Sequence, residues 1–159
     1  LTRAKIGDLF TWGEPCFAGG QRELHLLGPM QESMTLPDWV HYHGPASQAD
    51  LLGRWFPEAT GLISLSRHPE GRPQVMLEAM AAGLPIVASD LPAHLELIAA
   101  GQAGLICHSP GELEAALSTV ESTEGASIGA RARANARAQY GSWEDCALRY
   151  EAIYRELIA

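Results

Sequence analysis

The chain has 159 residues, 47% of them apolar and 19% charged, a balance that supports one domain with its own core and excludes both disorder and two full-sized domains. Eleven Lys and Arg against nineteen Asp and Glu leave a net charge of −8, so nucleic acid and anionic lipid surfaces are poor partners and any bound anion needs a local device. No window approaches the ~20 apolar residues that span a bilayer, and the amino terminus carries no signal-peptide core; the expected location is the cytoplasm. Cys16, Cys107 and Cys146 stand far apart without a Cys-x-x-Cys or a nearby His pair, which argues against a disulfide framework or a zinc site and for buried, reduced thiols.

In chain order, five strand-length apolar runs end at breakers: residues 24–27 before Gly28-Pro29, 40–43 before Gly44, 61–65 before Arg67, 85–88 before Ser89-Asp90, and 104–107 before His108. Helical signals lie between and after them. Residues 48–56 carry Leu51, Leu52, Trp55 and Phe56 at helical spacing, and residues 73–82 are rich in Leu, Met and Ala before Gly83, a stop signal. Ser109-Pro110-Gly111-Glu112 reads as a capping box that opens a helix to about Val120. An Ala/Arg-rich helix over 128–140 stops at Gly141. A last helix, 142–159, sets Trp143, Ala147, Tyr150, Tyr154 and Leu157 in one continuous stripe, read as a packing face. His25, His41 and His43 alternate along two of the strands and read as packed or hydrogen-bonded side chains.

Strands alternating with helices predict an α/β, Rossmann-like parallel sheet with helices on both faces. Ligands in such folds sit outside the carboxyl ends of the strands, which singles out the loops after Gly28, after Gly44, from Ser66 to Arg72, and from Ser89 to Pro92. No G-x-G-x-x-G follows a strand and no G-x-x-x-x-G-K-[ST] occurs, so NAD-dependent hydride transfer and P-loop hydrolysis are disfavoured.

The most informative stretch is residues 66–85. A helix starting near Pro73 offers free backbone N–H groups and a positive dipole end to an anion, and Gly71 lets a ligand approach the backbone. Within that helix Gln74 and Glu78 form the only polar stripe on a surface read as apolar nearly all round. A carboxylate in such a place needs hydroxyl, amide or cationic partners.

Glu70-Gly71-x-Pro73, then Glu78-Ala79-Met80-Ala81-x-Gly83-x-Pro85, resembles the Glu-x7-Glu signature of the group 1, family 4-like retaining glycosyltransferases of GT-B fold. The resemblance runs on through residues 26–29, 40–44, Ser89-Asp90, Glu96 and 101–106 to the closing aromatic helix. It implies that residues 1–159 are one nucleotide-sugar-binding domain, the C-terminal half of a GT-B fold. The family's first strand and its N-terminal acceptor domain would then precede Leu1. It also implies a bacterial glycan-building hexosyltransferase that takes a UDP-, GDP- or ADP-linked sugar and needs no metal or cofactor. The chain alone would be inactive, and peripheral membrane contact would come through the other domain.

Carried over by position, the resemblance gives Glu70 to the hydroxyls of the transferred sugar, as the catalytic-site carboxylate, and Glu78 to the ribose. The backbone of Gly71, Arg72, Pro73 and Gln74 would face the sugar and diphosphate. Lys5, the only lysine, falls on the family's diphosphate-binding lysine, with Ile6 where the family has Gly. Arg67 and His68 read as solvated loop residues. The alternatives are a stand-alone nucleotide-sugar-binding regulatory module and a sugar-nucleotide epimerase-like domain.

Overall fold

Strand β4 (Ile86–Ala88) organises the molecule, because its side chains alternate between two cores. The structure, a computed structural model, describes residues 1–158 and, within them, leaves out the side chains at 100 and 101. Val87 points into a core with Leu65, Leu113, Leu117, Leu24 and Val40, whereas Ile86 and Ala88 enter a second core with Met76, Met80, Leu97 and Ala132. A strand buried on both faces requires helices on both faces, as the sequence predicts. On one side lie α1 (Arg3–Ile6), α2 (Leu9–Phe17) and α7 (Pro110–Val120). On the other lie α5 (Gln74–Ala82), α6 (Pro92–Gly101) and α8 (Thr123–Gln139).

All pairings are parallel, but the strands form two ladders where the sequence reading expects one sheet. β1 (Leu24–Leu27) pairs with β2 (Val40–Gly44), with His25 opposite His41. Separately, β3 (Leu62–Ser64), β4 and β5 (Gly104–Ile106) pair in that order. Among the described residues no strand joins β1 to β3; residues 3–6 form a helix, and both ladders pack onto the same core.

Other elements correct the sequence reading locally. The helix expected at 48–56 is α3 (Gln48–Asp50), a π-helical turn over Leu51–Trp55, and α4 (Phe56–Glu58). The wider turn buries Phe56 and lays Trp55 on His25 and His43, with ring centroids 5.5 and 4.4 Å apart. α8 begins at Thr123, not 128, because Ser122 caps it by accepting from the Glu124 amide at 3.1 Å. Gly125 and Gly129 hide that start in the sequence, since glycine disfavours helix. Both are required by packing: a Cβ there would come within 2.0 Å of Val120 O and of Gly83 O. At α7 only half of the capping box forms. Ser109 Oγ accepts from the Glu112 amide at 3.3 Å, while Glu112 Oε2 takes the His108 amide at 2.9 Å.

The last helix, α9 (Trp143–Leu157), starts in a complete capping box of Ser142 and Asp145. It buries nothing: Trp143, Tyr150, Tyr154 and Leu157 are 90, 57, 60 and 76% exposed. The stripe read as a packing face is therefore not packed by the described residues. Cys16 and Cys107 are buried free thiols as expected, while Cys146 on α9 is only partly covered. No helix is long and apolar enough to cross a membrane among the described residues.

Candidate functional site

The loop from Ser66 to Arg72 leaves the carboxyl end of β3 and leads into α5, and it is fastened to α1. The Asp8 amide donates to Leu65 O at 3.2 Å, the Arg67 amide to Ala4 O at 2.8 Å, and Ser66 Oγ to the same Ala4 oxygen at 3.4 Å. The Arg67 guanidinium forks onto Asp8, with Nε 2.8 Å from Oδ2 and Nη2 on Oδ1. This close approach depends on Gly7, which sits at φ +56° and where a Cβ would lie 1.8 Å from Leu65 O. Only a residue without Cβ satisfies both conditions.

The consequence is a contact between two residues 65 positions apart. Lys5 Nζ lies 3.9 Å from Glu70 Oε1, with the Lys5 side chain 50% and the Glu70 side chain 18% exposed. At that separation the ammonium makes an ion pair without a close hydrogen bond, and both groups keep donor and acceptor capacity for a ligand.

α5 begins directly after this loop. Pro73 is its N-cap and no side chain caps it; the Met76 amide donates to Pro73 O at 3.2 Å, while among the described residues the Gln74 and Val75 amides have no acceptor and are open to one outside the chain. A Cβ on Gly71 would meet nothing within 4 Å; packing does not require glycine there, and the space over its backbone is free. Gln74 is exposed. Arg72 stacks its guanidinium 4.9 Å from the centre of the Tyr140 ring at the end of α8. Glu78 is half-buried one turn into α5 and, among the described residues, makes no hydrogen bond or ion pair. α5 is less enclosed than its composition predicts: Met76, Ala79 and Met80 are buried, while Val75 is 42% exposed.

Sequence reading missed the groups that hold this geometry. Gly7 and Asp8 come just after Lys5 and Ile6, so the glycine stands at position 7 and not at position 6 where the family pattern has it. Ser89 and His94 lie under the loop as its polar foundation: Ser89 Oγ donates to Ser66 O at 2.7 Å, and His94, with no exposed surface, contacts Ser89. At the neighbouring strand ends, His108 Nδ1 lies 3.3 Å from Asp90 Oδ2. The histidines of β1 and β2 stack on one another, with His25 Nδ1 2.9 Å from His43 Nε2, away from this loop. Among the described residues no three His, Cys, Asp or Glu are grouped to hold a metal ion. Two open clefts of about 340 and 510 Å³ surround Arg22, beside the amino end of β1; neither is lined by Lys5, Glu70 or α5.

The profile of the family described as "Glycosyl transferases group 1" matches residues 15–122. No curated protein gives a significant match. Among solved structures, sucrose-phosphate synthase from Thermosynechococcus elongatus superposes with a TM-score of 0.77 at 22% identity over 98% of this chain and 43% of that one. HepE of Anabaena in complex with UDP-glucose gives 0.69 at 20% identity over 86% of this chain and 42% of its own. A glycosyltransferase from Rickettsia africae gives 0.72 at 15% identity over 95% and 44%. The chain thus spans less than half the length of these structures.

Proposed function

The chain belongs to the group 1 glycosyl transferases, and on that premise we propose that it is the donor-binding half of a retaining enzyme that moves a hexosyl group from a nucleoside-diphosphate sugar to an acceptor held by another domain. The observation that carries the reading is the Lys5–Glu70 pair at the carboxyl ends of the strands, in front of the uncapped start of α5. A nucleoside diphosphate departing from a sugar accumulates negative charge, and a cation beside aligned backbone amides is suited to stabilise it. Lys5 and the amides of Gly71, Arg72 and Gln74 would hold the diphosphate, with Pro73 setting the start of the helix, Glu70 the sugar hydroxyls, and Glu78 the ribose. Arg72 would reach the phosphates only by leaving Tyr140, so its contribution is the smaller. The likeness to a structure containing UDP-glucose supports a nucleotide-sugar ligand. The exposed aromatic stripe of α9 is suited to cover by the acceptor domain, and the reaction as a whole would need both halves.

Calorimetric titration of this chain with UDP, GDP, ADP and UDP-glucose, each in EDTA, tests the reading. It expects at least one diphosphate to bind, more tightly than its monophosphate, without a metal. Failure of all four to bind, or equal affinity for mono- and diphosphate, would remove the donor-site assignment.

A further inference from the structure

His94 lies in the first turn of α6, fully enclosed, and two acceptors meet its Nδ1: Ser89 O at 3.1 Å and Ser89 Oγ at 3.2 Å. The carbonyl can only accept. The hydroxyl has already given its hydrogen to Ser66 O at 2.7 Å, so it accepts too. Both therefore require the hydrogen of the neutral ring to sit on Nδ1. Nε2 is then a bare acceptor, and among the described residues it is buried without a hydrogen-bond partner. An unpaired buried acceptor works against folding, and a phenyl ring would fill much the same space without it. The polar return from this imidazole comes entirely from the Nδ1 side.

That side leads to the candidate site. From His94 the hydrogen bonds run to Ser89 and on to Ser66 O; Ser66 Oγ in turn donates to Ala4 O and accepts the His68 amide at 3.0 Å. Ala4 O also accepts the Arg67 amide. Ala4 precedes Lys5, and His68 lies two residues before Glu70. Polar contacts across the ends of β4 and β3 thus connect α6 to Ala4, the residue before Lys5, and to His68, two residues before Glu70.

We propose that His94 is a positioning residue for the donor site, holding the 66–72 loop and α1 through the Nδ1–H bond to Ser89 so that Lys5 and Glu70 face the same ligand. The inference rests on the donor-site reading for its use but not for its geometry. Substitutions separate the two ring nitrogens: His94→Asn keeps a donor near the Nδ1 position, His94→Gln places its amide near Nε2, and His94→Phe keeps volume alone.

Amide hydrogen exchange on the free chain is the first measurement. His94→Phe and His94→Gln are expected to speed exchange at Arg67 and His68 by about tenfold, the factor for roughly one lost hydrogen bond, with the β4 amides unchanged. His94→Asn is expected to stay within about twofold of the parent. Ser89→Ala breaks the same line with His94 in place and is expected to act like His94→Phe, which covers a His94 variant that fails to fold. Calorimetry with UDP and UDP-glucose is the second measurement, and there the Phe and Gln variants lose about tenfold in affinity while Asn retains it. Unchanged exchange in His94→Phe and Ser89→Ala, or equal effects of Asn, Gln and Phe, would overturn the proposal. If exchange follows the prediction while the parent chain binds neither ligand, the positioning line stands and the donor-site reading falls.

Discussion

Lys5 and Glu70 meet at 3.9 Å because Gly7 allows the turn after α1 to press against Leu65 at the end of β3. With Lys5 half exposed, the pair contributes no more than about 1 kcal/mol to stability. Its significance is positional: a cation and a carboxylate are held side by side at the carboxyl ends of the strands, the edge proposed as the donor site.

Gly7→Ala is expected to lower stability by about 2–4 kcal/mol, since it combines a strained left-handed backbone with a carbonyl in the path of the new methyl group. Urea unfolding at constant m-value measures it. A change under about 0.5 kcal/mol, the scale of an ordinary surface substitution, would show that the approach of α1 to Leu65 is not tight.

The buried thiols set an alkaline limit. Burial, reinforced by Glu114, pushes Cys16 up to about 11, and burial with the charge of Glu112 does the same for Cys107. Between the ordinary value of 9.0 and about 11 the unfolded chain gives up these protons and the folded chain keeps them. Stability therefore falls as pH rises through that window. Cys16→Ala with Cys107→Ala is expected to flatten the slope of unfolding free energy from pH 9 to 11, and an unchanged slope would contradict the assignment. At pH 8, thiol-specific alkylation should reach Cys146 first.

A second pH dependence comes from the histidine stack. Partial desolvation of an otherwise exposed ring, with the neighbouring His25, Arg54 and His41 charges, holds His43 below its usual range. Below pH 6.5 the unfolded chain takes up this proton more readily, so stability is lost as pH falls. His43→Gln is expected to reduce the acid-side loss between pH 6.5 and 5, read by thermal melting; an equal loss in parent and variant would place the acid sensitivity elsewhere.

The strands were the most legible part of the sequence because each is an apolar run closed by Gly, Pro or a charged turn; all five occur within a residue or two of their expected places. The Pro73 start and Gly83 stop of α5 were legible for the same reason, with Gly83 at φ +85° as a C-cap. α1 and α2 were not. Four residues of α1 are too few for a periodic pattern, and Pro15 inside α2 reads as a breaker. Of the candidate site, the charged and glycine-bearing loop was visible, and so was the single lysine. The loops that begin at Ser66 and Ser89 were visible as well, but their support was not, because the hydrogen bonds that join these two loops to His94 on α6 correspond to no spacing in the chain.

Glu78→Gln is expected to weaken nucleoside-diphosphate binding by about 1–2 kcal/mol, the scale of a hydrogen bond to a charged acceptor. Stability should barely change, because Glu78 makes no ion pair within the described residues. Calorimetry alongside a melting curve separates the two effects. An unchanged dissociation constant would return Glu78 to an ordinary surface carboxylate of α5.

The central claim is that Glu70 reads the sugar while Lys5 and the start of α5 hold the diphosphate. Titration of parent and Glu70→Ala chains with UDP and with UDP-glucose tests it most directly, since the two ligands differ only in the sugar. UDP affinity should stay within about twofold, while UDP-glucose loses about 1.5–3 kcal/mol, or roughly ten- to a hundredfold. Equal weakening of both ligands, or of neither, would make Glu70 a charge beside a helix start and contradict the assignment.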